Sequence, residues 1–520
     1  MNIQDIGIPD SQEIRDSYVN LDQRKHVTHG LRSISRTNWV FLVLIGLLLS
    51  SIFSINNGQG AFYYVACALA VATALSVCVI PLRLIAFPFA TLVLLMPDLT
   101  QTSEQILAIG RTTSASLWQL PIGPISPAIL VLVCLAVALL RFSLISTVRP
   151  YKMVFIYFFV ISMSISLLHG YPQESIMRFI VDFKLVIVLY VSLLLFDAYF
   201  RTYPEETLRV TQIFFAFLVG SLLHQVIHYL VTPASSDVSG TYIHSSLDSG
   251  KGLVLAISFF ALSKIGKGNR IFVWTLVACF TIYWLISYQT RWLIVTFALG
   301  LLIIYATYPV KRKILLAACV VPAFAIGAVI LIALESEALR IMILRFSFIQ
   351  DIGLDSSFVK SEVVRGSSII NSLNLLWEKN SVFTGMGYGS YFNDDYFPMP
   401  DVNISAFDAQ SLQSGKFYRV HDFVFHFLFK FGLVGLAIYL WLFIKPLRQF
   451  WKNKRGIMQR QGGAELLIVL LGIAPTVITY MWFTGKGNIF CGFYIALCTS
   501  WLVHISKNDS ESEFVNASYC

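Results

Sequence analysis

Arg291, Arg365 and His421 have side chains suited to chemistry on a membrane-anchored phosphate. Arg291 ends the segment Ser287-Tyr288-Gln289-Thr290-Arg291, just after an apolar run, and its planar fork suits a diphosphate in a way that an ammonium does not. Arg365 falls at helical spacing with Ile369, Leu373 and Leu376. It therefore extends an apolar stripe that should pack against membrane or core, where a guanidinium needs a fixed anion. His421 stands where the next apolar helix opens. The positive end of that helix's dipole disfavours imidazolium, which keeps a neutral nitrogen available as a base. Each residue also has a plainer reading. Arg291 fits a snorkelling arginine, Arg365 an ion pair with Glu362 or Glu378, and His421 a helix-capping histidine.

Other polar groups carry weaker signals. Asp422 either orients the His421 ring or caps the helix, and with Lys251 it is kept as a supporting candidate. Lys251 and His244 read first as ordinary loop residues. Gly385, Gly387 and Gly389 alternate, which permits close backbone approach, but no Gly-Lys-Ser/Thr follows, so a tight turn is favoured over a nucleotide site. Asp182 and Lys184 are two residues apart in an apolar run, so they do not face each other on a helix and would pair with neighbouring helices. Asp394, Asp395, Asp401 and Asp408 lack the regular spacing of a calcium loop, and no metal is expected.

The elements that must position these residues are membrane helices. Of the 520 residues 56% are hydrophobic and 13% charged, about half the usual soluble charge content, and the mean hydropathy is +0.70. Continuous apolar runs predict an all-α polytopic membrane protein with about fourteen spans, each near the length needed to cross a bilayer. Their continuity excludes a transmembrane barrel, which would show short alternating segments. The net charge of +9 gathers at helix ends, as the positive-inside bias requires, and does not imply nucleic acid.

The expected order is a cytoplasmic tail at 1–38, spans 1–11 within 39–333, one large extracytoplasmic loop at 334–420, spans 12–14 within 421–504, and a cytoplasmic tail at 505–520. Residues 1–38 are polar and precede an apolar run that starts at Trp39 and reads as a retained anchor. The twelfth span is expected at 422–443, with Gly432 and Gly435 allowing close helix packing. Within the loop, 337–350 predicts an amphipathic surface helix, 361–379 a second helix, and 380–420 a turn-rich, aromatic segment. The eight cysteines form no zinc spacing and imply no disulfide framework in that loop.

Across roughly residues 240–445 the order of motifs resembles the O-antigen ligase and O-antigen polymerase family of bacterial envelope glycosyltransferases. The resemblance rests on Gly240 to Gly252, Ser287 to Arg291, Arg365 on a helix with Trp377, Phe383 to Phe392, and His421 entering a span with Gly432-Leu433-Val434-Gly435-Leu436. Members commonly carry Asn or Ser where this chain has Asp422. The resemblance implies metal- and cofactor-independent glycosyl transfer at the periplasmic face of the bacterial inner membrane. The donor would be a glycan on undecaprenyl diphosphate, and the acceptor another glycan or a lipid. Arg291 and Arg365 would hold the diphosphate, and His421 would take the proton of the attacking hydroxyl. A flippase and a chain-length regulator are the protein partners it implies.

The length of the chain and the size of the loop favour a polymerase, with a ligase that caps lipid A core as the alternative. A lipid-linked oligosaccharide flippase is the contrasting class, expected to carry charges along a central cavity and short outer loops. A non-catalytic scaffold in an export assembly is a third.

Overall fold

The computed structural model describes residues 36–54, 151–231 apart from 175, 204 and 205, 251–266, 271–287, 291–308, 357–399, 409–420, 422–459, 463–479 and 487–499, with scattered positions in 68–85, 133–138 and 313–317. The described residues form helices and turns with no strand, and one isolated antiparallel bridge pairs Phe392 with Phe417. In chain order the described helices of five residues or more are α1 (Arg36–Ser54), α2 (Lys152–Leu168), α3 (Ile176–Thr202), α4 (Thr207–Val231), α5 (Lys251–Gly266), α6 (Ile271–Ser287), α7 (Arg291–Thr307), α8 (Ser357–Glu378), α9 (Ala409–Ser414), α10 (Phe423–Lys452), α11 (Lys454–Gln459), α12 (Gly463–Thr479) and α13 (Gly487–Thr499). The apolar runs expected as spans near 39–55, 153–169, 179–200, 209–231, 251–264, 271–287, 292–308, 464–483 and 488–504 each coincide with one of these helices. The amphipathic segment 337–350 and most of the expected spans at 61–80, 82–96, 126–140 and 314–333 lie outside the described residues.

Among the described residues, α3 and α10 have the length and apolarity of helices that cross a membrane. α3 is a continuous rod of 27 residues, about 40 Å long at 1.5 Å per residue. α10 is not. Gly432 has φ 65° and ψ −175° inside it, so the helix is broken into 423–431 and 433–452. The halves fold against each other: the Phe423 and Phe427 rings lie 5.5 and 4.7 Å from the Tyr439 ring. On a straight helix Phe423 and Tyr439 would stand about 24 Å apart. The single twelfth span expected at 422–443 is thus replaced by a helical hairpin. Gly432 is its apex rather than a packing glycine, because only glycine adopts this backbone region freely. Gly435 does pack closely, against Phe431 and Tyr157.

The helix directions follow from cross-links. α12 runs antiparallel to α5, since Lys264 pairs with Glu465 at 2.6 Å and Phe259 lies against Gly472. It also runs antiparallel to α7, since Thr476 bonds Thr296 at 2.9 Å and Gly300 meets Gly472 backbone to backbone. A β-carbon at Gly300 would strike the Gly472 carbonyl, and small residues of this kind let apolar helices approach closely. Tyr439 donates to the Ile478 carbonyl at 2.9 Å, which sets the second half of α10 beside the end of α12. The bundle therefore has two ends. At one, α5 and α7 begin and α12 finishes near Thr479. At the other lie Lys264 and Glu465.

Gly432→Ala should lower stability by about 3 kcal/mol or more, because backbone strain adds to a steric clash with Phe383 and Gly385. Gly366→Ala is the control. No heavy atom lies within 4 Å of a β-carbon at that helical position, so it should gain about 0.5–1 kcal/mol. Thermal-unfolding midpoints in detergent check both, and a wild-type midpoint for the Gly432 variant would refute the apex assignment.

Candidate functional site at the hairpin and its cap

The cap starts with α8. Its buried face carries Val364, Ser367, Ser368, Asn371, Ser372 and Leu376 at helical spacing. The three serine hydroxyls bond to carbonyls of their own helix, Ser367 to Val363, Ser368 to Arg365 and Ser372 to Ile369. They are small, satisfied groups that let a polar helix face be buried. The apolar stripe predicted for this helix does pack, with Leu376 buried and Ile369 and Leu373 partly so, but its Arg365 end stays exposed. Glu378, one partner weighed for Arg365, instead meets Lys379 at 3.8 Å and the Tyr396 hydroxyl.

α8 ends in a Schellman-type turn. Asn380 takes φ 52°, and Ser381 N–H donates back to the Leu376 carbonyl at 2.8 Å. The chain then enters the helices as a glycine loop, 381–392. Gly385, Gly387 and Gly389 all have positive φ, so the close approach expected of them is present. A β-carbon at Gly387 would strike Ser166.

This loop closes the break in α10. Met386 N–H donates to the Phe429 carbonyl at 2.9 Å, and Gly387 N–H to the Lys430 carbonyl at 2.8 Å. Tyr157 O–H donates to the Phe431 carbonyl at 2.5 Å. On the far side of the break, Leu433 N–H donates to the Val382 carbonyl at 2.9 Å and Val434 N–H to the Phe383 carbonyl at 3.1 Å. Tyr388 plugs the seat, with its N–H on Ser166 Oγ at 2.5 Å and its hydroxyl on the Phe158 carbonyl at 2.7 Å. Phe158 lies in a wide π-helical turn of α2, Ile156–Ile161, a feature that often marks functional sites.

A buried ion pair completes the seat. Lys430 Nζ, on a side chain only 1% exposed, donates to Asp182 Oδ2 and to the Ser390 carbonyl, both at 2.7 Å. Asp182 also accepts from Gly389 N–H at 2.9 Å. The expectation that Asp182 pairs with a neighbouring helix holds. Lys430 was not among the residues the sequence singled out, and it lies within a run of phenylalanines that reads as uniformly apolar.

Beyond the loop, Asn371 ties the cap together. Its Oδ1 accepts from Tyr396 and Phe397 N–H at 3.0 and 2.9 Å, and its Nδ2 donates to the Phe397 carbonyl at 2.7 Å. Phe392 and Phe417 exchange two backbone bonds. Val364, Val420 and Phe429 share one apolar cluster with them, so the residues next to Arg365 and His421 belong to one small core. His421 itself lies outside the described residues. Asp422 is the N-cap of α10, its Oδ1 accepting from Val424 and Phe425 N–H at 2.9 and 3.2 Å. The capping alternative is thus what its carboxylate does.

Arg291 and Lys251 are the first residues of α7 and α5. Both helices begin at the Thr479 end of α12, and Phe423, next to Asp422, is seated on Tyr439 at that same end. The backbone thus brings positions 251, 291 and 422 toward one end of the bundle.

Cations on the cap rim were not anticipated either. Arg178 stacks over the Tyr418 ring at 4.7 Å, and Lys416 lies over Tyr391 at 4.3 Å while pairing with Glu174 at 2.7 Å. The hydrogen bond it donates to Glu174 pushes the Lys416 ammonium up to about 12, and the same bond lowers the Glu174 carboxyl. Both partners face solvent, so the pair adds little to stability.

Asn371→Ala should cost about 2–4 kcal/mol, since three hydrogen bonds are lost and three backbone groups are left without that partner. Amide exchange at 396–397 should rise while α8 stays protected. Unchanged exchange there would show that the side chain does not hold the cap.

No protein-family model and no curated protein sequence matches the chain.

Proposed function

We propose that this protein is a membrane glycosyltransferase that extends lipid-linked oligosaccharides, taking the glycan from an undecaprenyl-diphosphate donor. The observation that carries the proposal is the convergence of segments distant in sequence at one end of the helices. α7 begins with Arg291 at that end, and α10 begins there with its Asp422 cap. The cap cluster also includes Val364 and Val420, the neighbours of Arg365 and His421. Arg365 is exposed on α8, not packed into the core as its stripe implied.

In this reading Arg291 and Arg365 hold the diphosphate and stabilise the charge that develops as it leaves. His421 accepts the proton of the attacking sugar hydroxyl. Asp422 acts through the helix end it caps, and Lys251 supports the anion from the start of α5. The lipid tail lies between helices while the glycan faces the cap. The full topology is about fourteen spans in a bacterial inner membrane, with both termini cytoplasmic and the cap periplasmic. Lys264, at the bundle end opposite to Lys251, and Lys445, Arg448 and Lys452 in the second half of α10 support that orientation through the positive-inside bias.

One observation favours a second reading, a flippase for the same lipid-linked glycan. Ion-coupled carriers build their sites on discontinuous helices, and here one lies beside the Asp182–Lys430 pair. Arg291→Ala, Arg365→Ala and His421→Ala, expressed in cells lacking the wild-type copy, separate the possibilities. Each should abolish long glycan chains, a loss of at least a hundredfold on a gel, while core capped with a single repeat persists. Loss of all capped core with polymer retained on the carrier lipid would assign a ligase. Full chain length in all three variants would remove the enzymatic reading. Donor lipid moved across proteoliposomes with no acceptor present would favour the flippase.

A further inference from the structure

We infer that Asp182 and Lys430 are the positioning pair of the proposed transfer site, fixing the glycine loop to the broken helix and thereby the relative placement of α8 and the start of α10. The inference rests on the transferase reading for its kinetic consequence, but its structural consequence can be read without it.

Lys430 grips the loop twice. Its carbonyl accepts from Gly387 N–H at 2.8 Å, and its ammonium donates to the Ser390 carbonyl at 2.7 Å. Asp182, on α3, holds the residue between these points through Gly389 N–H at 2.9 Å. Positions 387, 389 and 390 are therefore pinned from two separate helices that meet at the ion pair. Backbone bonds tie the loop to the hairpin and Tyr388 ties it to α2 through Ser166 and Phe158, but toward α3 the Tyr388 ring packs on Phe183 at 5.2 Å, a contact that tolerates sliding. A charged pair with fixed acceptors does not slide, since a shift of one residue would leave a buried ammonium facing no oxygen.

The pinned loop leads directly to both arms of the proposed site. Two residues after Ser390, Phe392 bonds Phe417, and the chain from Phe417 reaches Val420 and the Asp422 cap. Further along the same direction the chain carries on to Tyr396 and Phe397, which Asn371 holds to α8, the helix of Arg365. Loosening the pair lets α8 and the start of α10 shift relative to one another without removing any group that touches substrate. Neither Lys430 nor Asp182 is a catalytic residue in this account, because the ammonium is buried and already bonded to protein oxygens.

The test uses full-length protein in nanodiscs, with a lipid-diphosphate oligosaccharide as substrate. Asp182→Asn, Lys430→Met and the double swap D182K/K430D are compared with wild type for amide exchange at 385–392 and for transfer kinetics. The expected result is at least tenfold faster loop exchange in each single variant. kcat should fall tenfold or more, with KM for the donor within about threefold, and the swap should restore neither readout, because it sets an ammonium against the Gly389 N–H and a carboxylate against the Ser390 carbonyl. Exchange at wild-type rates in both single variants overturns the inference. So does fast exchange with wild-type kcat, because the pair would then hold the loop without positioning the site. Should Lys430→Met fail to fold, the isosteric Asp182→Asn decides: faster loop exchange with lowered kcat supports the pair, and failure to change either readout overturns it. A wild-type protein with no transfer activity would end the transferase reading while leaving the loop exchange to decide the clasp.

Discussion

The structure depends on how a broken helix is made tolerable among apolar neighbours. A break creates up to four orphan N–H and four orphan C=O groups, and each one left bare in hydrocarbon costs several kcal/mol. Here the carbonyls of Phe429, Lys430 and Phe431 and the amides of Leu433 and Val434 all find partners, four from the glycine loop and one from Tyr157. The loop is therefore part of the helical bundle and not an appendage to it. Its glycines follow from that duty. A backbone that donates to another backbone at 2.8–2.9 Å and lies against α2 has no room for a side chain at 385, which faces Lys430 and Gly432, or at 387, which faces Ser166.

Once the loop is committed to the break, the rest of the cap has little freedom. The Schellman turn at Asn380 delivers it from α8, and the Phe392–Phe417 bridge returns it to the start of α10. Ring packing fills the seat, with Tyr388, Phe158, Phe427 and Phe431 meeting mostly edge to face, each such pair contributing about 0.5–1.5 kcal/mol beyond its burial. Adhesion comes from these rings, and direction comes from the hydrogen bonds.

The same division explains which parts of the structure were legible in the sequence. Apolar runs announce helices through length alone, and α3, α4, α6 and α7 begin and end within a few residues of where those runs do. α8 was legible from its stripe, although the polar half of its buried face was not, because Ser367, Ser368 and Ser372 satisfy themselves on their own helix and leave no pattern. Gly432 gave no warning of its φ, since a glycine in an apolar helix more often marks close packing. Lys430 was hidden because its partner lies 248 residues earlier, and no local spacing encodes a contact of that range. Of the candidate residues, Asp422 resolved into a cap. Arg291, Lys251 and Arg365 were located by the helices that carry them.

A buried ion pair is a costly way to hold two helices together. An apolar pair of similar volume is often as stable or more so, and the surrounding phenylalanines already supply cohesion. What the charges add is a fixed distance and a fixed register between α3, the loop and the hairpin. A proposed transfer site built from segments so far apart in sequence needs that more than it needs adhesion, because reacting groups displaced by about 1 Å can lose a hundredfold in rate. On this argument the stability spent on Lys430 and Asp182 is returned as geometry at the mouth of the bundle, where the helix starts and the cap meet.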